Sequence, residues 1–129
     1  MACAPRWPAE GAVMEVLLVL TNLPSRETAE KLAEAVITER VAACVNILAP
    51  CRSVYRWKNE VQHDEEHPVL IKTTRERFPA LEAAIRAAHP YELPEIIAVP
   101  VTAGLPQYLQ WVADEVLAAD NSAVDQTAR

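Results

Sequence analysis

The chain has 129 residues, enough for one domain with a sizeable core and too few for two. Hydrophobic residues make up 51% and charged residues 23%, which excludes a disordered chain, and 2 Gly against 10 Pro predict fixed corners rather than flexible linkers. The net charge of −6, from 12 Lys and Arg scattered among 18 Asp and Glu, excludes nucleic acid and anionic membrane surfaces as partners, because both demand a basic stripe.

Residues 1–12 lack the apolar run of a signal peptide and read as a flexible tail, as do residues 119–129, which show no apolar periodicity. The longest apolar run, Val16 to Leu20, is far too short to cross a bilayer. A cytoplasmic protein is therefore expected, with Cys3, Cys44 and Cys51 as free thiols.

Within the single domain, residues 13–118, Val13 to Thr21 is nearly all apolar and predicts a central strand. Ser25 is placed to cap a helix whose apolar stripe is Ala29, Leu32, Ala33, Val36 and Ile37. Val41 to Ile47 has strand propensity. Arg52 to Trp57 alternates, with Tyr55 and Trp57 on one face and the arginines on the other. Lys58-Asn59-Glu60 reads as a hairpin turn, and a return strand is expected from Val69 to Thr73 after the acidic Asp64-Glu65-Glu66.

Thr73 and Glu76 have capping-box spacing before a second helix carrying Phe78, Leu81 and Ile85, which His89-Pro90 ends. A strand from Glu95 to Val101 and a helix from Gln107 to Leu117 complete the chain. The order β-α-β-β-α-β plus a C-terminal helix predicts an α+β, ferredoxin-like split βαβ sandwich.

Four segments carry a family resemblance: Ala42-Ala43-Cys44-Val45-Asn46-Ile47, Ser53-Val54-Tyr55-Arg56-Trp57, Glu66 leading into Leu70-Ile71-Lys72-Thr73, and His89-Pro90-Tyr91-Glu92-Leu93-Pro94-Glu95-Ile96, with Tyr108 and Trp111 downstream. In order and spacing the chain resembles the CutA divalent-ion tolerance family over residues 13–117. That resemblance implies a non-enzymatic homotrimer with a long interlocking hairpin, linked to copper and other divalent cations, none of them required for folding. Two ligand positions proposed for some members are filled here by Leu20 and Ala88.

From the residues themselves, His89, Glu92 and Glu95 are the candidate metal ligands, since imidazole and carboxylate suit copper and zinc. The alternative is that His89 caps the helix and bonds to backbone, Tyr91 packs, and the glutamates pair with Lys72 or an arginine. Lys72, Arg75 and Tyr91 form a possible cleft site for a small anion, as in a PII-like ligand-sensing trimer. Tyr55, Trp57, Tyr108 and Trp111 are candidates for the trimer interface. Cys44 reads as core filling, Cys51 as more accessible, and His63 and His67 as part of a solvated acidic edge. With Gly11 and Gly104 the only glycines, no Gly-rich phosphate loop exists, and no nucleophile–base motif is present.

Overall fold

A computed structural model describes residues 15–117. Both proposed tails, Cys3, and the Val13–Met14 start of the first predicted strand lie outside the described residues.

Strand β1 (Val16–Leu23) is buried on alternate sides as its sequence requires. Leu17, Val19 and Leu23 enter the main core, while Leu18 and Leu20 face the other way and are half-buried. Helix α1 (Arg26–Thr38) starts at Ser25, whose hydroxyl accepts the Thr28 N–H at 3.1 Å while the Thr28 hydroxyl accepts the Ser25 N–H at 3.3 Å. Each half of this box satisfies a donor that the first turn leaves orphaned. Arg40 closes the helix at φ 61°, and Val41 N–H reaches back to the Val36 carbonyl at 3.1 Å. The predicted strand from Val41 shortens to β2 (Cys44–Ile47), because Val41 and Ala42 are spent on this exit and on core packing.

After Pro50 come β3 (Cys51–Trp57) and β4 (Glu60–Thr74), joined by Lys58 and Asn59 at φ 53° and 68°. Two consecutive positive φ values make the tight hairpin turn whose twist suits antiparallel strands. Strand β4 has 15 residues, so the return strand begins nine residues before the predicted Val69, and the acidic stretch lies inside it. Its first half pairs with β3 alone; its second half pairs with β1 and β2. Pro68 sits at the handover. Its carbonyl accepts the Leu48 N–H at 2.9 Å where β2 has ended and β3 not begun, so its missing N–H costs no ladder bond.

Helix α2 (Phe78–Ala88) begins later than a Thr73–Glu76 box would allow. Thr73 is still in β4 and donates its hydroxyl to the Val41 carbonyl at 2.8 Å; Thr74 is the residue whose hydroxyl receives the Arg77 N–H, at 3.3 Å. His89 is the C-terminal cap, as expected. Strand β5 (Ile97–Pro100) is shorter than predicted, and α3 (Pro106–Glu115) ends the described chain.

The sheet order β2-β4-β1-β5, antiparallel throughout, with β3 on β4, is the predicted ferredoxin-like arrangement. Val36, Val69, Ile71, Leu81 and Ile85 are fully buried between one sheet face and helices α1 and α2. On α3, Val112, Ala113 and Val116 are buried outside that core, against β4 and β1. Ile97 and Val99, opposite Leu20 and Leu18 on the same side, stay about half exposed.

Candidate functional site: an acidic, aromatic groove

Where β4 leaves the main sheet to form the hairpin, a groove of about 760 Å³ opens between the hairpin and the loop after α2. Ser53, Tyr55 and Trp57 share one face of β3 and line one wall, as the alternation predicted. Asp64 and Glu66 of β4 form the floor, and Tyr91, Glu92 and Glu95 the opposite wall. Four carboxylates and no Lys or Arg line it, so its field favours cations.

Two tyrosines bridge into the floor. The Tyr55 hydroxyl donates to Asp64 and the Tyr91 hydroxyl to Glu66, the latter at 3.1 Å. The Asp64 bond, helped by burial and the nearby carboxylates, raises the Tyr55 pKa. Tyr91 is pushed up to about 12, chiefly by burial and then by its bond to Glu66. Both phenols are thereby held as donors.

His89 anchors the Tyr91 wall. Its Nδ1 accepts the Tyr91 N–H at 3.2 Å, so Nε2 carries the proton and donates to the Asn22 carbonyl at 2.6 Å. The reason lies in the sheet. Even-numbered residues of β1 turn their carbonyls toward β5, as the Val101 N–H bond to the Val16 carbonyl shows, but β5 begins at Ile97 opposite Leu20. Asn22, one step further, has no strand partner there. The imidazole takes that place, and Glu95 accepts the Asn22 side-chain amide at 2.8 Å.

Of the candidate metal ligands, Glu92 and Glu95 thus line the groove, while buried His89 has both ring nitrogens engaged with backbone. No three His, Cys, Asp or Glu side chains among the described residues are grouped to hold a metal. Glu95 is bound to Asn22 rather than to Lys72 or an arginine.

The proposed cleft set of Lys72, Arg75 and Tyr91 is not brought together. Lys72 is six residues along β4 from the Tyr91 partner Glu66, roughly 20 Å in a strand. Its ammonium binds Asn46 and lies 3.7 Å from Cys44 Sγ. Arg75 pairs with Glu15 beyond the end of β4. Cys44 is half-exposed on this side rather than core filling, with the Tyr108 hydroxyl beside it. Cys51 is exposed. Tyr55 and Trp57 belong to the groove, whereas Tyr108 and Trp111 stack on α3 with centroids 5.5 Å apart.

Asp64, Glu66 and Asn22 are site residues that the sequence reading did not single out. The available signal was parity: Asp64 and Glu66 share a strand face, with Tyr55 diagonal to Asp64 across the hairpin.

The profile of the CutA1 divalent ion tolerance protein family matches residues 17–115. The chain is 45% identical over 97 residues to the divalent-cation tolerance protein CutA of Thermus thermophilus, covering 75% of this chain and 94% of that protein. It is 44% identical over 97 residues to human Protein CutA, covering 75% of this chain but 54% of the human protein. The mouse protein is likewise spanned for only 60% of its length. The crystal structure of CutA1 from Shewanella sp. SIB1 superposes with a TM-score of 0.78 at 38% identity, covering 81% of this chain and 97% of that one. Matched over most of its described length in both sequence and fold, the chain belongs to the CutA1 divalent ion tolerance family.

Proposed function

We propose that this protein acts as a homotrimer in the response to divalent metal ions, copper among them, by binding rather than by catalysis. Family membership supports the divalent-ion part. The observation that carries the assembly is the sheet face turned away from α1 and α2. Ile97 and Val99 are 51% and 52% exposed there, beside half-buried Leu18, Leu20 and Leu70, and Trp111 of α3 is 42% exposed.

An apolar face of this kind gains from burial against another copy. The hairpin, whose Val54 and Val61 are 60% and 56% exposed, is the element able to reach it. Hairpin-to-sheet contacts are head-to-tail, and such contacts close into a ring.

Because one chain groups no three ligands, the ion is taken where Glu92 and Glu95 meet a neighbouring subunit. His89 joins such a site only by giving up a backbone partner. An anion-sensing role finds less support, since Lys72 and Arg75 are each engaged far from Tyr91. Free Cys44 and Cys51 favour a reducing compartment, the cytoplasm. Relatives carry other addresses in their names, chloroplastic in Arabidopsis thaliana and periplasmic in Archaeoglobus fulgidus.

The test is a copper(II) titration of the assembled protein against a competing chelator, with Glu92→Gln/Glu95→Gln alongside. Binding at a fixed ratio per subunit, lost in the double variant, supports the reading. Failure to outcompete even a weak chelator rejects the copper assignment.

A further inference from the structure

Glu66 is 8% exposed and is the only buried acidic side chain among the described residues. Its Oε2 accepts the Tyr91 hydroxyl; among the described residues no hydrogen bond or ion pair reaches its other oxygen. A carboxylate withdrawn from water without a counter-charge is costly, which is why such groups are found paired or holding a cation. Asp64, on the same face of β4, meets a neutral hydroxyl rather than a cation. The groove these two carboxylates floor therefore lacks one thing, a positive charge.

Its walls decide which kind. Tyr55, Trp57 and Tyr91 present aromatic surface, and the Trp57 ring already has an ammonium near it, with Lys58 Nζ 5.7 Å from its centroid. Aromatic faces favour weakly hydrated organic cations over small, strongly hydrated metal ions. The carboxylates do not converge on a common point, as a bare divalent ion would require. The volume of about 760 Å³ suits a small molecule with an apolar body.

We propose that the groove of each chain binds an organic cation, a guanidinium or primary ammonium on an aliphatic stem. Its charged head sits at Glu66 and Asp64, and its stem lies against Tyr55 and Trp57. The site goes beyond the divalent-ion role and stands whether or not that role does, because it uses the side chains of one chain.

Calorimetric titration of the full-length protein with agmatine, which carries both head groups, tests it. Magnesium at matched ionic strength and the neutral stem analogue 1-butanol are the comparators. Agmatine is expected to bind once per chain, and the comparators not to compete. Glu66→Gln keeps an oxygen for the Tyr91 hydroxyl but removes the charge, and should weaken agmatine by about tenfold or more, the loss of a charge-assisted bond. The ligand-free variant should melt no lower than the wild type, which checks that it folds. Should it melt lower, Asp64→Asn serves as the second variant, with the same loss expected. No agmatine binding, equal binding by wild type and folded variant, or displacement by magnesium would each overturn the proposal.

Discussion

His89 is the residue on which a ligand role and a structural role part most sharply, and its removal has a calculable cost. In His89→Ala, the Asn22 carbonyl loses the donor standing in for the absent end of β5, and the Tyr91 N–H loses its acceptor. Each bond contributes about 1 kcal/mol net, and leaving a half-buried carbonyl orphaned adds a further fraction, so roughly 2–3 kcal/mol of destabilisation is expected. The ring also packs on Tyr91 at 4.7 Å between centroids, so the loop lining the groove should loosen with it. His89→Gln is the informative companion. Its amide N–H reaches about where Nε2 stands and should recover about 1 kcal/mol, although an amide is a poor copper ligand. Urea unfolding followed by tryptophan fluorescence, at one fixed protein concentration, measures both variants. If His89→Ala costs less than about 0.5 kcal/mol, or Gln recovers nothing, the backbone role is wrong.

Three further outcomes are expected. Tyr91 has a folded pKa of about 12, above its unfolded value of about 10. The stability it contributes is complete below about pH 10 and is lost as the pH climbs toward 12, so Tyr91→Phe should flatten the fall in melting temperature over that window. Ser25→Ala removes one half of the reciprocal cap of α1 and should cost about 1 kcal/mol in denaturant unfolding, with Ser25→Gly costing less. Val99→Lys, on the half-exposed edge of the open sheet face, should leave each chain folded by circular dichroism but weaken its assembly tenfold or more, about 1.4 kcal/mol, in sedimentation equilibrium.

The sandwich was legible because its core elements carry one-sided patterns. The Leu17, Val19, Leu23 and Val36, Leu81, Ile85 sets announce themselves by period two and period 3.6. The long β4 was not. From Glu60 to Glu65 it is a hairpin arm largely exposed on both faces, so polar residues carry no alternation there and Asp64-Glu65-Glu66 reads as a loop. The groove was half legible. The His89–Glu95 loop and the aromatic face of β3 stood out by residue type, but the partners of His89 depend on where β5 stops, a tertiary fact. Lys72 and Arg75 seemed close to His89 only along the chain; β4 and α2 carry them to the far end of the sheet. Thr73 misled because a cap-forming hydroxyl also serves a buried strand, here as the donor to Val41.

The most direct test of the central claim is the molar mass of the full-length protein by light scattering, across a hundredfold dilution. Three times the chain mass, held through the dilution and lowered by Val99→Lys, is the predicted result. A chain-mass species at all concentrations would contradict it, and would leave the open sheet face without the occupant assigned to it.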